Sequence, residues 1–271
     1  MNMSLKRIAY IDILFLFLLL LSGFFEGFVE QLLYYGAFLV PIIIACIFSK
    51  GDSGDNMINS LKLSREGLFF TLPLIFPTVA SVLLIAYLSS LIIPASENAI
   101  PKDVYGNIFV VIMVYAVFPA ILEELLFRFI PLISFSGYER WSVIILTSVA
   151  FAAIHCDFTK LPYAFFAGVV FMTLDFATGS VWPSVIIHAL NNLTSVLSIR
   201  YGGVSNFNLV FVIVISVLAL LSCLAVLLMR EKYNSARRTL LNKIENAGEL
   251  SPSAEIFILI GCSLLITILS Y

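Results

Sequence analysis

The sequence predicts an all-α fold, a polytopic transmembrane helical bundle of eight to nine spans around a central intramembrane cavity that holds the candidate catalytic chemistry. Three observations predict it. The 271 residues are 61% hydrophobic and 12% charged, against roughly 25% charged in soluble domains, and the mean hydropathy is +1.06. Apolar runs recur at lengths near the roughly 17 to 25 residues that a helix needs to cross a bilayer core of about 30 Å. Lys and Arg are distributed unevenly over the loops between those runs, as in proteins oriented by their cytoplasmic charge.

Residues 8–28 form the first run. Lys6 and Arg7 precede it as in a secretory signal, but no small-residue cleavage site follows cleanly, so it reads as a retained helix. Residues 32–48 and 68–93 are the second and third runs, with Glu26 and Glu30 at an interface. The fourth, 108–133, contains Glu123, Glu124 and Arg128, and Pro119 withholds a donor from the Tyr115 carbonyl, kinking the helix just before the acids. The fifth and sixth, 141–154 and 161–176, are short, as is the ninth, 256–271. Such runs tilt, lengthen at their ends or span half the bilayer, which is why eight spans stand beside nine. Asp175, in the sixth, reads as interfacial. The seventh and eighth are 181–197 and 209–229. The polar stretch 230–253 holds an amphipathic helix near 236–244, with Leu240, Leu241 and Ile244 on one side, lying along anionic lipid headgroups.

An inside N-terminus places eleven basic residues in the cytoplasm: Lys6, Arg7, Lys50, Lys62, Arg65, Arg140, Arg230, Lys232, Arg237, Arg238 and Lys243. Lys102, Lys160 and Arg200 fall outside, and Arg128 lies within a span. The chain divides into N-terminal helices (1–107), a core carrying the polar motifs (108–197) and C-terminal helices with the basic loop (198–271), all in one integrated domain. Cys46, Cys156, Cys223 and Cys262 show no metal-type spacing and read as free thiols. The net charge of −2 offers nothing to nucleic acid, and no repeat suggests a solenoid.

Ionised groups at bilayer depth cost about 2.5 to 3.5 kcal/mol each on insertion scales, so they persist where paired, hydrated or put to use. Three segments carry such groups as same-face pairs four residues apart: Glu124 with Arg128, Phe151 with His155, and His188 with Asn192. Counted from the cytoplasmic end of each segment at about 1.5 Å per residue, Glu123 lies roughly 15 Å deep, His155 roughly 21 Å, and His188 and Asn192 roughly 10 and 16 Å. All four meet near the midplane. Glu124 precedes Arg128 in the favourable order for pairing, which leaves Glu123 as the acid free for chemistry. Peptide hydrolysis needs a base for water, a partner for that proton and donors for an oxyanion. Glu123, His155, His188 and Asn192 supply such a set.

The motifs Glu123-Glu124-x-x-x-Arg128, Phe151-x-x-x-His155 and His188-x-x-x-Asn192, in this order on separate apolar segments, resemble those of the CPBP intramembrane proteases. That family joins the type II CAAX prenyl endopeptidases with the bacteriocin-protection (Abi) proteins. The resemblance covers 108 to about 197. It implies that Glu123 with His155 activates water, that His188 and Asn192 form the oxyanion hole, and that Glu124, Arg128 and Phe151 support the site. It implies no obligatory cofactor. Zinc is compatible with the residue types, and its ligands would then be Glu123, His155 and His188. The implied substrate is a membrane-associated or lipidated peptide or protein, met in the lipid bilayer, with no nucleic acid; the implied location is the plasma membrane of a prokaryote. Two other classes share these residues: a non-catalytic immunity or assembly protein of the same fold, and a proton- or cation-coupled transporter. A transporter usually carries paired repeats with broken helices, and no convincing repeat is present.

Overall fold

A computed structural model describes residues 5–22, 24–25, 28–49, 59–93, 106–135, 138–155, 157–201 and 205–245. The ninth apolar run, Glu26, Lys50, Lys102, Cys156 and Cys262 lie outside these residues. The elements, in chain order, are α1 (Leu5–Ser22), α2 (Phe28–Ser49), α3 (Arg65–Ile92), α4 (Ile108–Ser134), α5 (Arg140–Ala153), α6 (Leu161–Thr178), α7 (Trp182–Tyr201), α8 (Ser205–Leu228) and α9 (Arg230–Glu245). Each of the first eight predicted runs coincides with a helix. The amphipathic helix expected at 236–244 is part of the longer α9. Among the described residues, three helices, α3, α4 and α6, are long and apolar enough to cross a membrane. α5, with 14 residues, rises only about 21 Å at 1.5 Å per residue.

Large apolar side chains stand exposed along the outer helices, among them Leu84, Leu91 and Ile92 on α3 and Leu220, Leu227 and Leu228 on α8. Such a surface would be costly in water and is matched by hydrocarbon. α6 is the central helix, packed against α5, α3 and α7, and its Phe171 and Met172 are fully enclosed. Small residues let it approach its neighbours. At Gly168, an added Cβ would fall 2.9 Å from the Ser148 backbone of α5, so glycine is required there. Hydroxyls fold back onto their own helices, as in Thr71 to Gly67 O (2.7 Å), Ser148 to Ile144 O (2.6 Å) and Thr173 to Val169 O (2.6 Å). An apolar surrounding offers them no better acceptor.

α4 departs from regular α geometry twice. The amide of Phe118 bonds Met113 O and that of Ile130 bonds Leu125 O, each five residues back. These two π turns, 113–117 and 125–129, each end two residues before a proline, Pro119 and Pro131. Proline has no N–H and its ring clashes with the carbonyl four residues earlier, and a widened turn relieves that clash. The kink predicted at Pro119 thus takes the form of a π turn. Continued with the same spacing, position 119 would bond Val114 O. The Tyr35 hydroxyl of α2 supplies the missing donor, at 3.4 Å.

Candidate active site

The second π turn begins just after Glu124 and contains Arg128. An α-helix advances about 100° per residue, whereas the wider turn advances less, so more consecutive side chains stay on one side. Glu123, Glu124, Leu126, Arg128 and Phe129 are all buried. Arg128 Nε lies 3.2 Å from Glu124 Oε2, with both side chains fully enclosed. The guanidinium sits 4.0 Å from the centroid of the Phe151 ring of α5 and 5.6 Å from that of Phe171 of α6, where ring quadrupoles stabilise its charge. The expected Glu124–Arg128 pair is therefore present, together with an aromatic cradle that the motif spacing did not reveal.

The other oxygen of Glu124 reaches α7. His188 Nδ1 lies 2.7 Å from Glu124 Oε1, and His188 Nε2 lies 3.8 Å from Glu123 Oε2. An ionised carboxylate only accepts hydrogen bonds, so Nδ1 carries the proton and donates it. Nε2 then faces Glu123 as a lone pair in the neutral ring and as a donor in the imidazolium. Glu124 holds Arg128 with one oxygen and orients the histidine with the other.

His155, just past the end of α5, places Nδ1 2.9 Å from Phe151 O. A carbonyl also only accepts, which assigns the proton to Nδ1 and leaves Nε2 as the basic nitrogen. The Phe151 ring stands edge-on between the two histidines, with centroids 5.2 Å from His155 and 5.5 Å from His188. Asn192 lies one turn beyond His188 on α7 and is half-buried. The structure thus brings Glu123, Glu124, Arg128, Phe151 and His188 into one cluster, with His155 joined to it through Phe151.

The chain leaves the site through a tight turn. Asp157 Oδ1 accepts from the Thr159 amide (2.9 Å) and hydroxyl (2.6 Å), and Lys160 Nζ lies 3.6 Å from Oδ2. Burial pushes the Asp157 carboxyl up, but the Thr159 hydrogen bonds and the Lys160 charge outweigh it and hold the group below its ordinary value.

Asp175, read from the sequence as interfacial, lies in the last turn of α6 and is fully enclosed by protein; Ser184 of α7 donates to it from Oγ at 2.6 Å and from the backbone at 3.2 Å. The rule that drew attention to the glutamates, an acid within an apolar run, applied equally here. An open apolar groove of about 320 Å³, lined by Tyr35, Leu39, Phe118, Ile121 and Leu122, lies between α2 and α4. Among the described residues, no group of three or more His, Cys, Asp or Glu side chains is gathered as a metal would require. Glu123, His155 and His188 in this arrangement do not fit a zinc site.

The chain matches no curated protein and no solved structure. Residues 105–194 match the protein-family model described as Type II CAAX prenyl endopeptidase Rce1-like. The matched stretch holds every residue of the cluster, and Asn192 besides, so the segment that builds the site is similar to the family that its three motifs indicate.

Proposed function

We propose that this protein is an intramembrane endopeptidase of the CAAX type that hydrolyses peptide bonds of membrane-associated or lipidated peptides or proteins. The observation that carries the reading is the placement of His188, locked by Glu124 at 2.7 Å with its free nitrogen turned to Glu123 at 3.8 Å. A reacting oxygen set to one side of that line lies within hydrogen-bonding reach of both the acid and the imidazole. In this reading Glu123 takes a proton from the attacking water and delivers it to the leaving amine, and the Nε2 of His155 shares that proton. His188 and Asn192 stabilise the oxyanion. With Nδ1–H committed to Glu124, His188 serves as an oxyanion donor in its imidazolium form. The apolar groove between α2 and α4 offers a place for a lipid chain.

The test uses detergent-purified protein with a farnesylated CAAX peptide, alongside comparison of membrane peptides from cells carrying the wild type or Glu123→Gln. Glu123→Gln keeps size and hydrogen bonding while removing basicity, so folded protein without cleavage is expected. Asn192→Ala removes one oxyanion donor and should slow turnover by roughly 10²- to 10³-fold. Cleavage by Glu123→Gln at the wild-type rate would falsify the mechanism. If the wild type cleaves no peptide and its membrane peptides do not differ from those of Glu123→Gln cells, the non-catalytic or transporter class is favoured. A strong chelator is expected to leave cleavage unchanged; loss restored by zinc would overturn the metal-free route while keeping the site.

A further inference from the structure

Asp175 is an acid buried in the protein for which the reaction above has no use. It occupies the last turn of α6, and its backbone and side chain do different jobs. Its carbonyl accepts the amides of Gly179 (2.7 Å) and Ser180 (3.2 Å), closing the C-terminus of α6 through the left-handed Gly179 at φ 69°. Its carboxyl crosses to α7 and takes both the amide and the hydroxyl of Ser184. The corner itself is anchored to the segment before α3, by Val181 N to Ser60 O (3.0 Å) and Trp182 Nε1 to Leu61 O (2.8 Å). Asp175 therefore ties the start of α7 to a corner held from three directions.

Ser184 lies one helical turn before His188, so the two share a face of α7. That face looks onto α4, where His188 Nδ1 lies 2.7 Å from Glu124 Oε1, and Asp175 interacts electrostatically with both Glu124 and Arg128. The face of α6 toward them carries Phe171, one turn before Asp175, in contact with Arg128 and His188. Rotation of α7 about its axis would carry Ser184 and His188 together, and the two bonds from Asp175 oppose it.

We propose that Asp175 is a positioning residue for His188: through Ser184 it sets the rotation of the first two turns of α7, and with it the contact between His188 and Glu124. The proposal rests on the reading of His188 and Glu124 as active-site residues, but its main test does not need turnover. His155 and His188 are the two histidines of the chain, so side-chain ¹⁵N spectra of histidine-labelled protein in detergent contain two imidazoles, assigned with His155→Gln. Asp175→Ala removes both bonds to Ser184. Ser184→Ala removes the hydroxyl and leaves the amide. Asp175→Asn keeps an acceptor for the amide and a donor toward the hydroxyl, and serves as the conservative rescue.

The His188 signal is expected to show one state with Nδ1–H held in a hydrogen bond in the wild type and Asp175→Asn, and a mixture of states in Asp175→Ala and Ser184→Ala. With the farnesylated peptide, kcat of the two alanine variants should fall by about ten- to a hundredfold with KM little changed, the size expected for misplacement of about 1 Å or less. Should Asp175→Ala not fold, Ser184→Ala decides. A folded alanine variant with the wild-type His188 spectrum overturns the proposal, as does an Asp175→Asn protein as impaired as Asp175→Ala. If the wild type cleaves nothing yet His188 responds to Ser184→Ala, the protease reading fails and the positioning stands. If the wild type cleaves and His188 does not respond, the positioning fails alone.

Discussion

Glu124 shows why neighbouring identical residues take different roles. It lies 3.2 Å from Arg128 and 2.7 Å from His188, so its substitution acts on both stability and chemistry. Removing one partner of a buried ion pair typically costs about 3–5 kcal/mol, because the remaining charge is left uncompensated. Glu124→Gln is therefore expected to lower thermal stability in detergent by about that amount, seen as reduced folded yield and an earlier unfolding midpoint. The folded fraction should also turn over more slowly than wild type, since the amide no longer fixes the imidazole by charge. A variant with wild-type stability would show that Arg128 is neutralised by another group. Phe151 belongs to this scale too, since one ring contacts Arg128 and both histidines.

At the scale of the element, α4 is unusual because its two prolines convert α-helical turns into π turns. Pro131→Ala restores an N–H and removes the ring clash, allowing the turn at 125–129 to close as regular α-helix. Alanine is intrinsically better than proline in a helix by about 3 kcal/mol, so the unfolding midpoint should not fall. Turnover should fall by about tenfold or more, since re-winding the turn rotates Arg128 relative to Glu123 and Glu124. Parallel kinetic and thermal measurements on this variant separate the two effects; a fall in stability with unchanged turnover would contradict this account of the π turn. The α5–α6 contact is a second test. Gly168→Ala puts a methyl 2.9 Å from the Ser148 backbone, and overpacking of this kind costs about 1–3 kcal/mol. It should appear as a lower unfolding midpoint.

For the whole molecule, the Lys and Arg asymmetry leads us to place the N-terminus and α9 in the cytoplasm. Cysteine introduced as Ser235→Cys, on the exposed part of α9, should resist an impermeant thiol reagent in intact cells and react after permeabilisation; labelling in intact cells would reverse the topology. The membrane class, the apolar runs and the motif residues were legible in the sequence because each rests on local properties: hydropathy, segment length and four-residue spacing on a helix. The Glu124–Arg128 pair was legible for the same reason. The π turns were only half visible, as prolines without the widened geometry that relieves them. The tertiary structure alone decided that His188, 64 residues away from Glu124 in sequence, takes that acid as its partner, and that Asp175 is enclosed against Ser184. Those contacts depend on the rotation and close approach of α4, α6 and α7. Apolar helices in lipid gain little from burying one apolar face over another, so small residues, ring packing and a few buried hydrogen bonds set that rotation, and none of these is encoded in the spacing of a single segment.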